Sequence, residues 1–247
     1  MIAASTGNHG AAVAYAAGQL GCRARIVVPH GANPDKLAAI AALGATLEVH
    51  GTDSAEAEIY ARQESVRGGM PYISPYNDVA VIAGQGTIGV ELARQLAPID
   101  VVFIALGGGG LLAGIAAHLR SIRPQVRIVG CSPVNSAVMV ESLRAGRILE
   151  LPPQPTLSDG TAGGIEPGAI TFDLCRELVD DLVTVTEMEI RYAMQDIHRS
   201  HGTLVEGAAG VAMAGYLRQE ERWRGTTAVV ILCGGNVNPA VVAGDGS

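Results

Sequence analysis

Short β-branched runs alternate with helix-patterned stretches along almost the whole chain, and this order constrains the fold more than any other feature. It is the sequence form of βα units wound around a mostly parallel sheet. Strands are expected at residues 25–29, 46–50, 71–74, 101–106, 127–131, 182–185 and 228–233, and a helix over 11–20. Asn33 ahead of Pro34 reads as a cap and first helical position, and Gly44 as the stop of that helix. Thr186-Glu187-Met188-Glu189 reads as a capping box that opens a helix towards Gly202. Residues 151–167, rich in proline and glycine, are too irregular for an element and long for a loop, a length that often carries function. A composition shift at 75–78 divides the chain into a small α/β domain, 1–77, and a larger one, 78–247.

Composition narrows the partners. The 17 basic residues are 16 arginines and one lysine, Lys36; against 24 acidic residues the net charge is -7. No basic patch for a phosphate backbone is expected, so nucleic acid is not an expected partner. No uncharged apolar run of about 18 residues exists, so neither a membrane-spanning helix nor a secretory signal is expected. Cys22, Cys131, Cys175 and Cys233 lie far apart with no C-x-x-C pair, which argues against a zinc ribbon or redox dithiol and for a reducing, cytoplasmic location.

Three glycine-bearing turns follow expected strands or open helices, the edge of an open α/β sheet where ligands bind. Ser5-Thr6-Gly7-Asn8-His9-Gly10 sets hydroxyls, a carboxamide and an imidazole beside the free N–H groups of a helix start. It reads either as an ordinary polar cap or as a cradle for a carboxylate. Gly107-Gly108-Gly109-Gly110, after residues 101–106 and before Leu111-Leu112-Ala113-Gly114, lets several N–H groups turn onto one anion. A phosphate monoester is favoured over a dinucleotide there, because the G-x-G-x-x-G spacing is met only loosely and no acidic residue ends a strand about 20 positions on. Cys233-Gly234-Gly235-Asn236 ends the last strand; its thiol is either a buried structural cysteine or a neutral donor to a heteroaromatic nitrogen. His198 and His201 are three apart without an evident third ligand, Asp180-Asp181 reads as a turn, and Glu206 reads as a helix-opening residue.

Taken together, these turns, with Gly84-Gln85-Gly86-Thr87-Ile88, Thr156-Leu157-Ser158-Asp159-Gly160 and the run from Asp180 to Glu187, stand in the order and spacing of fold-type II pyridoxal phosphate enzymes. The chain resembles their threonine/serine dehydratase and serine racemase branch over essentially its full length. The resemblance implies a tryptophan synthase beta-like α/β fold of two open three-layer domains. It implies that Gly107, Gly108, Gly109, Gly110 and Leu111 bind the phosphate of pyridoxal 5'-phosphate, that Asn8 bonds its ring hydroxyl and that Cys233 faces its ring nitrogen. Ser5, Thr6, Gly7 and His9 would hold the substrate carboxylate, and Asp159 would lie near the ring. The implied reaction removes the β-hydroxyl and amino group of threonine or serine, giving a 2-oxo acid and ammonia, in a homodimer.

Two departures from the family qualify that expectation. Thr6 stands where racemases carry a serine as second-face acid/base, and residues 131–138 hold no carboxylate where they bind a divalent cation. No metal site is therefore expected, and dehydration is expected over racemisation. Family members also carry their Schiff-base lysine several dozen residues before the turn that here begins at Ser5. The expectation is a fold lacking its N-terminal part, in which Lys36 matches a non-catalytic lysine and the 247 residues alone do not turn over. A short form that binds cofactor or amino acid without catalysis is the alternative, followed by a racemase-like isomerase; a nicotinamide-dependent oxidoreductase is disfavoured.

Overall fold

The computed structural model describes residues 1–52, 54–152 and 154–243. The chain divides into two compact units, Met1–Val81 and Ile82–Ser247.

The first unit is a three-stranded parallel sheet in the order β1-β2-β3, built from β1 (Ile2–Ala4), β2 (Arg25–Val28) and β3 (Thr46–Val49). α1 (Asn8–Gln19) and α2 (Pro34–Ala42) form the crossovers, and α3 (Ser54–Gly68) follows β3. Side-chain alternation sorts the layers. Ala3, Ile26 and Val28 face Val13, Ala14 and Ala17 of α1 and Ile40 of α2, whereas Ile2, Ala4 and Val27 face Ala57 and Ala61 of α3. Asn33 Oδ1 accepts the Asp35 amide at 2.8 Å with Pro34 in the first turn, as expected, and Gly44 takes φ +89° after α2.

Two expectations are corrected here. β1 was absent from the sequence reading; Ile-Ala-Ala is three residues with little β-branching, and it is a strand because it pairs with Arg25, Ile26 and Val27. Residues 71–74 are not a strand: a single parallel bridge joins Ile2 to Tyr72, with Ile2 N donating to Pro71 O and Ile73 N to Ile2 O.

The second unit carries a four-stranded parallel sheet in the order β6-β5-β4-β7. Its strands are β4 (Val101–Ala105), β5 (Arg127–Pro133), β6 (Asp181–Val185) and β7 (Ala228–Val230). β7 is shorter than the sequence predicts, so Cys233 lies in the segment after it. Around the sheet run α4 (Val79–Gln95), α5 (Gly110–Ile122), α6 (Val138–Ala145), α7 (Ile170–Leu178), α8 (Glu187–His201), α9 (Gly207–Gln219) and α10 (Pro239–Ala243). One face of β4 and β5 presents Val101, Phe103, Val129 and Cys131 to Ile190, Met194 and Ile197 of α8 and Ala209, Val211 and Ala214 of α9. On the other face, a Cβ on Gly130 would meet Leu106 at 2.8 Å and Leu112 of α5 at 3.3 Å, so glycine makes room there for leucine.

The Gly84-Gln85-Gly86-Thr87-Ile88 segment has a packing role. It lies in the middle of α4, where a Cβ on Gly86 would stand 3.0 Å from Gly114 O, and one on Gly114 of α5 would stand 2.2 Å from Ile82 O. Small residues on both helices permit a backbone-to-backbone crossing. The capping box forms as expected, with Glu189 Oε2 accepting the Thr186 amide at 2.7 Å, and Gly202 ends α8 at φ +66°. Among the described residues of 151–167 the one helical element is a short 3-10 turn, Asp159–Thr161.

Candidate active site

In the second unit, β4 is interior to the sheet and all five of its residues are buried, so the turn that follows it leaves a rigid base. Gly109 takes φ +89° as the N-cap of α5. A Cβ on Gly107 would stand 2.8 Å from the Thr161 Cα, and one on Gly109 would stand 2.9 Å from Cys175 Sγ. Glycine is therefore required at both positions, by close approach and, at Gly109, also by a left-handed backbone. Among the described residues no acceptor engages the amide hydrogens of residues 107–112, which gather at the positive end of α5. That cluster of free donors fits a phosphate, with nothing but backbone supplying the contacts.

β7 lies beside β4 and parallel to it, so Cys233 follows a strand end on the same edge of the sheet. The thiol is half-buried, and burial, with a smaller contribution from the Glu206 carboxylate, pushes it up to about 11. It is therefore neutral and can donate a hydrogen bond at physiological pH. Glu206 does more than open a helix. It is the N-cap of α9, is 8% exposed, and its Oε1 accepts the Asn236 amide at 2.7 Å. Its own amide donates to Gly234 O at 3.2 Å, and a Cβ on Gly234, which has φ +93°, would collide with the carboxylate at 2.7–2.9 Å. Sequence reasoning passed over this contact because it joins residues 30 apart.

Asp159 is exposed and opens the 3-10 turn that packs on the glycine loop through Thr161. The turn is held by Thr161 N donating to Ser158 O at 3.0 Å and by a 2.6 Å contact between the Ser158 and Thr161 hydroxyls. Glu187 Oε2 anchors its base by accepting the Leu157 amide at 2.7 Å. A Cβ on Gly160 would stand 3.8 Å from Glu206 Oε2, which places this turn beside the Cys233 segment as well.

In the first unit, the turn of residues 5–9 follows the carboxyl end of β1. Ser5 N donates to Val27 O at 3.2 Å and Ser5 Oγ accepts the Gly7 amide at 3.2 Å. α1 begins three residues earlier than predicted, so Asn8 and His9 lie in its first turn, where amides have no intrahelical acceptor. Gly10 allows the helix to sit on the turn, since a Cβ there would stand 2.7 Å from Ser5 O. Thr6 and Gly7 are half-buried and Asn8 is exposed. The His9 ring is committed elsewhere: its Nε2 lies 3.0 Å from Ile73 O, and burial lowers its pKa below the usual 6.5. With Nε2–H donating to that carbonyl, Nδ1 is an acceptor, so His9 offers a carboxylate its amide and not its ring.

Lys36 lies in the first turn of α2, its amide facing Asn33 Oδ1 at 3.5 Å. His198 and His201 occupy the last turn of α8. Ser132 Oγ donates to Leu106 O and Ser136 Oγ accepts the Gly163 amide. Among the described residues no three His, Cys, Asp or Glu side chains gather as a metal group, and no helix of the described residues is long and apolar enough to cross a membrane.

Residues 1–234 match the model of the family described as pyridoxal-phosphate dependent enzyme. The chain belongs to that family. It is 36% identical over 240 residues to the catabolic L-threonine dehydratase of Escherichia coli, covering 96% of this chain and 73% of that protein. The processed form of threonine deaminase isoform 2 from Solanum lycopersicum superposes with a TM-score of 0.92 at 36% identity, over 99% of this chain and 71% of that one. Maize serine racemase superposes with a TM-score of 0.91 at 30% identity, over 99% and 75%. Curated relatives that the chain matches are longer: it spans 36% of a tomato chloroplast threonine dehydratase and 59% of a Thermotoga maritima threonine ammonia-lyase.

Proposed function

We propose that the chain carries the ligand-binding machinery of a pyridoxal phosphate-dependent threonine/serine dehydratase, an ammonia-lyase that converts a hydroxy amino acid to a 2-oxo acid and ammonia. The observation that carries this reading is the pairing, on one sheet edge, of a backbone cradle of unengaged amides with a thiol held neutral by burial. Relatives named as threonine dehydratases and ammonia-lyases support it.

Residues 107–111 hold the cofactor phosphate through their amides, Cys233 meets the ring nitrogen, and Asn8 meets the ring hydroxyl. Bound pyridoxal phosphate supplies an electron sink for the bond broken at the amino acid's α-carbon. The neutral Cys233 thiol donates to the ring nitrogen without surrendering its proton, which keeps that sink modest and favours prompt loss of the β-hydroxyl. Ser5, Thr6 and the amides of Gly7 and His9 orient the substrate carboxylate, and Asp159 borders the ring. Thr6 offers a hydroxyl to the second face, but its β-branching restricts the rotamers that a racemase would need. Lys36, in a capped helix start, is given no chemical role. The reading extends, on the family resemblance, to a cytoplasmic homodimer with a small domain over 1–77 and a large one over 78–247, and to a site without a metal.

The test is to incubate pyridoxal phosphate-loaded protein with L-threonine and L-serine and measure 2-oxo acid, ammonia and D-serine. Equal release of 2-oxo acid and ammonia supports the dehydratase. D-Serine without 2-oxo acid would assign a racemase; binding of cofactor and amino acid with no product is the outcome expected with Lys36 non-catalytic, and failure to bind pyridoxal phosphate would overturn the reading.

A further inference from the structure

The carbonyl of Leu106, immediately before the glycine loop, owes its hydrogen bond to a side chain. In the parallel β4–β5 ladder, Arg127 N donates to Asp100 O at 2.9 Å and Leu106 N donates to Cys131 O at 2.7 Å. A parallel ladder advances two residues per bond, so the amides of residues 129, 131 and 133 face the carbonyls of residues 102, 104 and 106. Residue 133 is proline and has no N–H to give. Leu106 is 1% exposed, so water is no substitute. The donor is the Ser132 hydroxyl, itself 0% exposed and 2.5 Å from Leu106 O.

This substitution reaches the cradle through one peptide plane. In a trans peptide the carbonyl of Leu106 and the amide of Gly107 point in opposite directions. Holding the carbonyl towards β5 therefore turns the Gly107 amide away from β5, to the side of β4 where β7 lies. Thr161 closes against Gly107 from the loop, leaving the plane little room to rotate. We propose that Ser132 is a positioning residue for the phosphate cradle: it supplies the ladder bond that Pro133 cannot and so aims the Gly107 amide at the phosphate. The proposal rests on the pyridoxal phosphate reading and names a determinant of that site.

The test compares the affinities of the full chain for pyridoxal phosphate and for pyridoxal, which lacks the phosphate, by titration calorimetry. Ser132→Ala is expected to weaken pyridoxal phosphate binding about tenfold, the cost of one buried carbonyl left unpaired, with little change for pyridoxal. Ser132→Ala/Pro133→Ala gives residue 133 an amide and is expected to recover affinity to within about threefold of wild type. If Ser132→Ala does not fold, Ser132→Cys, a weaker donor at the same place, replaces it and is expected to lie between the two. Unchanged pyridoxal phosphate affinity in the serine variant, equal losses for both ligands, or no recovery in the double variant would overturn the role of Ser132. A wild type that binds pyridoxal phosphate no better than pyridoxal would overturn the cofactor reading itself.

Discussion

Each of the two units places a candidate ligand-binding turn at the end of a parallel strand, but they build it from different materials. In the second unit the turn leaves an interior strand whose residues are all buried, and the donors are backbone amides held by glycine contacts and helix ends. In the first unit the turn leaves a three-residue strand flanked by β2 and one bridge to Tyr72, and its groups are the hydroxyls of Ser5 and Thr6 with the amides of Gly7 and His9, beside a histidine ring tethered to Ile73. A phosphate has the same geometry on every substrate turnover, so a rigid cradle suits it. A substrate must enter and leave, and hydroxyl side chains can adjust to it by rotation. The difference teaches which substitutions should damage cofactor binding and which should damage only substrate binding.

The largest effect is expected at the cradle. Gly109→Ala forces a side chain into a φ of +89° and to within 2.9 Å of Cys175 Sγ. Pyridoxal phosphate affinity should fall about a hundredfold and stability by about 2–4 kcal/mol, from left-handed strain plus overpacking. A variant that bound the cofactor normally would show that backbone geometry there is not limiting. Next is Glu206→Ala, which leaves the Asn236 amide without its acceptor and frees the turn that carries Cys233. A loss of about 1–3 kcal/mol in thermal or denaturant unfolding is expected, with faster alkylation of Cys233. In the wild type, where the thiol sits up near 11, alkylation at pH 8 should reach exposed Cys22 well before Cys233.

Changes in the first unit should spare the cofactor. His9→Ala removes the tether to Ile73, so threonine binding should weaken while pyridoxal phosphate affinity stays within about twofold. The same residue makes the first unit sensitive to acid. Burial holds the folded-state pKa of His9 below 6.5, so the unfolded chain binds a proton at higher pH than the folded one. The stability this contributes is present above about 6.5 and is lost as pH falls through the folded value. The drop in melting temperature between pH 7 and 5 should therefore shrink in His9→Gln. The smallest effect belongs to Lys36→Ala, expected to leave cofactor affinity within about twofold, since Lys36 is a half-buried residue in the first turn of α2 beside its Asn33 cap.

Much of this was legible in the sequence because it is local. The parallel α/β order, the Asn33 and Thr186 caps and the glycine turn after β4 follow from residue types within a few positions of one another. What escaped is non-local. β1 is Ile-Ala-Ala, a strand only because β2 lies beside it. The Glu206–Asn236 bond and the Ser132–Leu106 bond join residues 30 and 26 apart and exist only once strand order is set. The His9 ring looked like a donor to substrate until residues 64 positions away, at Ile73, claimed it.

The most direct measurement of the central claim is the set of amide proton and nitrogen chemical shifts of residues 107–111, recorded in the isotope-labelled chain during titration with pyridoxal phosphate and then with pyridoxal. Saturable shifts at those amides with the phosphate-bearing ligand, and none of similar size with pyridoxal, are predicted. Binding of pyridoxal phosphate with those amides unmoved would contradict the account.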